Sequence, residues 1–244
     1  MGWMILTKKR NFEAFIFVVP ALLILGTFVY FPLIKNIIYS FQSFTLSSTT
    51  REWVGLANYK QLFSDKIILA CLKNNILYAV ISIIVQVGFG LVLAAVLEDA
   101  VFQKAAPFFR SVYFIPTVVS MTVVCLLFKF VYNPQMGLLN SFLQAVGLDN
   151  LTKIWLGSKK TAMYAVIAVS QWQSTGYVTM LFIVAIQKIP KDLYEAAEVD
   201  GAGKIKKFFY ITVPQVKQMF FVTMILTVVG AFTVFNEPYI LTGG

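Results

Sequence analysis

Two sets of polar side chains interrupt long apolar runs at helical spacing. Asn75, Tyr78, Ser82 and Gln86 fall three or four residues apart, and Ser170, Gln173, Ser174 and Tyr177 do the same beside Gln171 and Trp172. Amides and hydroxyls on one helical face can pair with the hydroxyls of a sugar, and an aromatic ring can cover the sugar's apolar face. In a membrane such groups are costly, so they either line a solute path or hydrogen-bond neighbouring helices. Ser82, Gln86, Gln171, Trp172, Gln173, Ser174 and Tyr177 are the path candidates, and packing between helices is the alternative for each.

Chemistry that breaks bonds has little to work with. There is no histidine, and Cys71 and Cys125 stand alone, without a CxxC or a histidine partner, so no metal site is expected. No G-x-x-x-x-G-K-[ST] loop occurs, and "GAGKIKK" has neither its spacing nor its hydroxyl residue. The chain is therefore expected to bind no cofactor and to be no enzyme. An intramembrane hydrolase lacks a nucleophile with an obvious base.

The elements that must position these residues are membrane helices. Hydrophobic residues make up 59% of the 244, against about 45–50% in soluble domains. The net charge of +9, from 20 Lys and Arg against 11 Asp and Glu, fits cytoplasmic loops on anionic lipid rather than nucleic acid. Five segments approach the roughly 20 apolar residues that cross a bilayer: 12–34, 75–97, 111–131, 162–186 and 219–241. Pro116 lies in the third, which is kept as one span because membrane helices tolerate proline. Residues 1–11 form a tail ahead of the first span, and residues 12–244 form one transmembrane domain. The basic groups "KKR" at 8–10 and "KIKK" at 204–207 fall on the same side, which makes the N-terminus and residues 188–217 cytoplasmic. Residues 35–74 and 132–161 are then outer loops, with Trp53, Tyr59 and Trp155 as interfacial anchors. Asn236 and Glu237 lie near the outer end of the fifth segment, where Glu237 either meets substrate or faces water, and water is the expectation.

Residues 188–217 hold the most organised polar stretch. Pro190 opens a short helix through "KDLYEAAEVD", "GAG" stops it at Gly201, and a second amphipathic segment runs from Lys204 to Pro214. Glu195 and Glu198 flank a face of small residues that includes Ala196 and Ala197. By themselves these features suit an interfacial helix as well as a docking surface.

The order Glu195-Ala196-Ala197, three residues, Gly201, nine residues, Ile211-Thr212-Val213-Pro214 resembles the EAA loop of ATP-binding cassette importer permeases. Val213 stands where that pattern has leucine. "FVVPALLILGTFVYFPLIKNIIYSF", "EWVGLANYKQLF", "FFRSVYFIPTVVS", "GLLNSFLQAVGL" and "FNEPYILTGG" extend the resemblance over nearly the whole chain, toward the maltose-type, carbohydrate-uptake branch. The resemblance implies an all-α polytopic membrane protein with the type I ABC importer transmembrane fold, five spans being present of an expected six. It implies a bacterial or archaeal cell (inner) membrane. It also implies that Glu195, Ala196, Ala197, Glu198, Gly201, Ile211 and Pro214 form a coupling surface for ABC ATPase subunits, which bind the ATP and Mg. A second homologous permease subunit, an extracellular solute-binding protein and a sugar are the other implied partners. The rival readings are a permease of the same kind for another solute, such as a glycerol phosphate or polyol, and an ion-coupled carrier or channel. The latter should carry a buried ionisable residue, and the middles of the five segments have none.

Overall fold

The computed structural model describes residues 15–45, 51–102 and 104–243. The N-terminal tail and the basic group at 8–10 lie outside the described residues. The chain divides into two units, residues 1–71 and 72–244.

In the first unit, α1 (Phe15–Tyr39) is 25 residues long and strongly apolar, with Lys35 and Asn36 near its C-terminal end and no residue of its most apolar window buried. A helix of that kind suits lipid. It leads into a two-stranded antiparallel ribbon, β1 (Gln42–Ser43) and β2 (Glu52–Trp53), in which Gln42 pairs with Trp53. Helix α2 (Ala57–Ser64) follows, and Asn58 Nδ2 donates to the carbonyls of Ser40 and Gln42 at 2.9 and 3.0 Å. Tyr59 shares a 2.7 Å hydrogen bond with Ser40, and Trp53 stacks on Phe41. The stretch expected as an outer loop thus contains structure of its own.

Helix α3 (Lys66–Glu98) is 33 residues long and starts nine residues before the expected span. Residues Ile83–Phe89 form a π-helical segment within it. The second unit then contains α4 (Ala106–Val118), α5 (Met121–Val131), α6 (Leu138–Ala145), α7 (Ala162–Ile186), α8 (Lys191–Val199), α9 (Lys204–Gln215), α10 (Lys217–Thr233) and α11 (Asn236–Thr242). Among the described residues two helices are individually long and apolar enough to cross a membrane, α1 and α3, and up to four if each bent pair, α4–α5 and α9–α10, is one span.

Two expected spans differ from what is observed. Residues 111–131 do not form one helix: α4 and α5 meet at 99°, and the break falls at Val119 and Ser120 rather than at Pro116. Pro116 sits in the last turn of α4 and leaves the Val112 carbonyl without its helical donor, yet the helix runs on to Val118. The run 219–241 likewise ends as a helix at Thr233, and α11 is a separate turn of chain after Val234 and Phe235.

Helix α7 is the centre of the second unit. It packs against α3, α4, α5, α10 and α11, and its 25 residues span about 37 Å at the α-helical rise. Lipid gives apolar side chains little reason to prefer one another, so close backbone approach matters more. Gly176 provides it: a β-carbon there would lie 1.8 Å from the carbonyl oxygen of Tyr113 in α4. Two apolar clusters run along α7. One joins Val124, Cys125, Ile167 and Ala231, the other Val87, Leu91, Phe182 and Ile186, and between them lies a layer of buried polar residues that includes Ser82, Gln86, Ser170, Gln171 and Gln173.

Candidate functional site

A cavity of about 230 Å³ opens at the level of that polar layer. Four helices line it: α3 with Tyr78 and Gln86, α7 with Ser170, Ser174 and Tyr177, α10 with Thr223 and Thr227, and α11 with Glu237. Gln86 lies within the π-helical segment of α3, a local widening that recurs at functional sites. Glu237 is only 8% exposed, and its Oε1 accepts a hydrogen bond from the Tyr78 hydroxyl at 3.4 Å. The expectation that it faces water is corrected: the chain turns at Val234 and Phe235 and brings α11 back against α5 and α7.

The path candidates separate into two groups. Gln86, Ser174 and Tyr177 line the cavity. Ser82 and Gln171 instead pair with each other between α3 and α7, Gln171 Nε2 donating to Ser82 Oγ at 2.9 Å and to the Ile167 carbonyl at 3.2 Å. Gln173 serves the α4–α5 break, where its Nε2 donates to the Val119 carbonyl at 2.7 Å while Thr117 Oγ1 donates to the Gln173 carbonyl at 2.8 Å. Trp172 is not among the cavity's lining residues and lies half-exposed beside Phe128. Glu237, Thr223 and Thr227 were not among the path candidates; the only signal for the threonines is their four-residue spacing in an apolar run.

The second feature is the stretch from Ile189 to Pro214. Pro190 occupies the N-cap of α8, one position earlier than the first helical residue, and Asp192 sits in the first turn, where a negative charge meets the positive end of the helix. Gly201 has φ +75°, and the amides of Gly201 and Ala202 close back on the carbonyls of Glu198 and Ala197 at 3.0 and 2.8 Å. That is a Schellman stop, which needs the left-handed conformation that glycine adopts without strain. Helix α9 then runs back through Ile211, Val213 and Pro214, with Tyr194 and Thr212 sharing a 2.9 Å hydrogen bond that holds α8 on α9.

Three ion pairs surround this turn. Lys204 donates to Asp99 at 2.9 Å, Lys207 pairs with Glu198 at 2.5 Å, and Arg110 pairs with Glu98. The ammonium of Lys204, followed by the Val101 amide, holds the Asp99 carboxyl below the usual carboxylate range. The outward face of the turn is bare: Glu195, Ala196, Glu198 and Gly201 are exposed, and Val199 and Tyr210 are 89% and 80% exposed.

Residues 67–244 match the family of binding-protein-dependent transport system inner membrane components. The chain belongs to this family. It is 59% identical to the probable ABC transporter permease protein YurN of Bacillus subtilis over 98% of its own length and 82% of the relative's. It is 30% identical to the arabinooligosaccharides transport system permease protein AraP of the same organism, over 98% of this chain and 75% of the relative. Its fold matches a chain of the bacterial alginate ABC transporter in complex with alginate pentasaccharide-bound periplasmic protein, with a TM-score of 0.79 at 20% identity, covering 96% of this chain and 80% of that one. The binding-protein-dependent permease fold is therefore observed as well as inherited by sequence, and the chain is a membrane subunit of such a system.

Proposed function

We propose that this permease forms half of the translocation path of an ATP-driven sugar importer and hydrolyses nothing itself. ABC ATPase subunits dock on the exposed turn at Glu195, Ala196, Ala197, Glu198 and Gly201, and they alone bind ATP and Mg. A second homologous permease completes the path, and an extracellular solute-binding protein delivers the sugar. The N-terminus lies on the ATPase side. ATP closes the ATPase pair, the docked turns move with it, and the helices around the polar cavity rock between inward-open and outward-open states.

The observation that carries this reading is the bare α8–Gly201–α9 turn in a chain of this family. It is braced within itself by the Lys207–Glu198 pair and the Tyr194–Thr212 bond, tied to the end of α3 by the Lys204–Asp99 pair, and exposed along Glu195, Ala196, Glu198 and Val199. The sugar assignment rests on the hydroxyl and amide groups that line the cavity beside its single carboxylate, on the transport named for AraP and on the saccharide in the alginate complex.

The test is co-purification in mild detergent with a P-loop ATPase encoded by the same host. A β-carbon at Gly201 meets nothing of this chain within 4 Å, so within the permease a substitution there acts through the backbone, and Gly201→Asn controls for side-chain bulk at the docking face. Placing an ordinary residue in the left-handed region costs about 1–2 kcal/mol, and asparagine tolerates it better. Gly201→Val is expected to lose the ATPase and Gly201→Asn to keep most of it. Isolation of the permease without an ATPase, with transport unchanged in both variants, sinks the docking assignment.

A further inference from the structure

Building on the sugar-importer reading, we infer that Glu237 is the specificity-determining carboxylate of the cavity, accepting hydroxyls of a neutral saccharide and turning anionic sugars away. Glu237 is the one charged side chain among the residues that line the cavity. It is buried, and among the described residues no Lys or Arg nitrogen lies within salt-bridge distance of it. Its only hydrogen-bond partner there is the Tyr78 hydroxyl at 3.4 Å, longer than the 2.5–3.0 Å usual between oxygens. A carboxylate has about four acceptor sites, so most of its capacity is unspent.

A second lining group is in the same condition. Gln86 is 6% exposed, lines the cavity, and has no hydrogen-bond partner among the described residues. Its amide is not among the sealed, unpaired polar atoms, so it is open to the cavity, and the cavity is where its partner can come from. Gln86 and Glu237 together present two donors and about five acceptors around one space, with Ser170, Ser174, Thr223 and Thr227 between them. Tyr177, half-exposed on the same lining, supplies a ring for the apolar face of a sugar.

This set suits a polyol and disfavours an anion. Each sugar hydroxyl can donate to the carboxylate while accepting from the amide or from a serine, and such charge-assisted bonds are the strong ones. A solute carboxylate or phosphate would instead meet Glu237 with no lysine or arginine on the lining to compensate it. A metal or alkali cation would find one carboxylate and no second acid: no cluster of three or more His, Cys, Asp or Glu occurs among the described residues.

The experiment uses the assembled transporter in nanodiscs and two pairs of probes, the members of each pair differing only at C6: the methyl glycosides of glucose and glucuronate, and those of galactose and galacturonate. Binding is read by saturation-transfer NMR competition, in sodium and in choline buffer. One hydrogen bond to a charged group corresponds to about tenfold or more in affinity, so the wild type and Glu237→Asp are expected to prefer each neutral probe by about tenfold. Glu237→Gln is expected to bring the preference within about threefold, and Gln86→Leu to weaken neutral binding while leaving the preference in place. A neutral-to-anionic ratio that is the same in wild type and Glu237→Gln overturns the inference and leaves the sugar reading standing. So does binding that requires sodium and is lost with the carboxylate, since Glu237 would then hold an ion. If no glycoside binds to any form, the sugar reading fails and the inference fails with it. Should Glu237→Gln not assemble, equal affinity for the two classes in Glu237→Asp or in the wild type overturns the inference directly.

Discussion

Lys204 Nζ donates to Asp99 Oδ1 at 2.9 Å across 105 residues of sequence, fastening the helix that leaves the Gly201 turn to the end of α3. The neighbouring Glu98 reaches the other way, pairing with Arg110 of α4 and accepting from Gln187 Nε2, just past α7, at 3.1 Å. Two adjacent acids therefore tie the turn to three membrane helices. On the proposed mechanism a displacement of the turn would pass to those helices through these contacts and through the Tyr194–Thr212 bond.

Reversing the first pair tests that transmission. Lys204 is largely exposed, so the pair contributes at most about 1 kcal/mol and should be weakened by salt. Asp99→Lys is expected to lower the solute moved per ATP hydrolysed by about two- to fivefold, and adding Lys204→Asp is expected to restore it. The ratio of uptake to hydrolysis in proteoliposomes is the measurement. A double variant no better than Asp99→Lys would show that the pair transmits nothing.

The pH dependence follows from the direction of the Asp99 shift. Its carboxyl lies below the ordinary value near 3.9 because Lys204, then Val101, stabilise the charged form. A lowered carboxylate stabilises the folded attachment fully above the unfolded value and loses that contribution as pH falls through the lowered one. Amide exchange of residues 201–207, corrected for intrinsic rates, is therefore expected to stay level from pH 8 to about 5 and to quicken only below about 4. Loosening between pH 8 and 6 would mean another group holds the turn.

The Gly201 turn was readable in the sequence because its constraints are local. A glycine at φ +75° after a helix that follows proline is set by a few neighbouring residues, and the EAA spacing makes the same statement twice. The polar set on α7 was not separable that way. Gln171, Gln173 and Ser174 lie within four residues on a helix buried on most sides, and only the positions of Ser82, Val119 and the cavity decide which of them packs and which lines. The break between α4 and α5 falls three residues after Pro116, because the tertiary contacts of Thr117 and Val119 with Gln173 replace the missing helical bonds there. Glu237 looked like a surface acid for the same reason: no local pattern reports that α11 folds back on α7.

Glycine positions in the bundle give a graded series. A β-carbon at Gly176 meets the Tyr113 backbone at 1.8 Å, one at Gly90 meets Thr179 Oγ1 at 3.3 Å, and one at Gly230 on the cavity wall meets nothing within 4 Å. Backbone cannot rotate aside, so Gly176→Ala must separate α4 from α7. Overpacking of this kind costs about 1–3 kcal/mol or more. Gly176→Ala is expected to lower the melting temperature of the purified assembly by several degrees, Gly90→Ala by less, and Gly230→Ala not at all. Equal stability of Gly176→Ala and Gly230→Ala would contradict the close approach of the two helices.

Gln171 and Gln173 stand two residues apart on α7, are equally buried, and predict opposite responses to the same substitution. The Val119 carbonyl has lost its helical partner at the bend, and in a bilayer no water replaces it; Gln173 Nε2 is its donor at 2.7 Å. Gln173→Leu leaves that acceptor bare, a loss of about 1–3 kcal/mol. Gln171 also donates, to Ser82 and to its own helix, but its Oε1 is buried without a partner. Gln171→Leu removes an inter-helix bond of about 0.6 kcal/mol and relieves the orphaned oxygen at the same time. Thermal unfolding should therefore separate the variants, with Gln173→Leu clearly destabilised and Gln171→Leu close to wild type. The opposite order would mean that the bend at Val119 is satisfied by something other than Gln173.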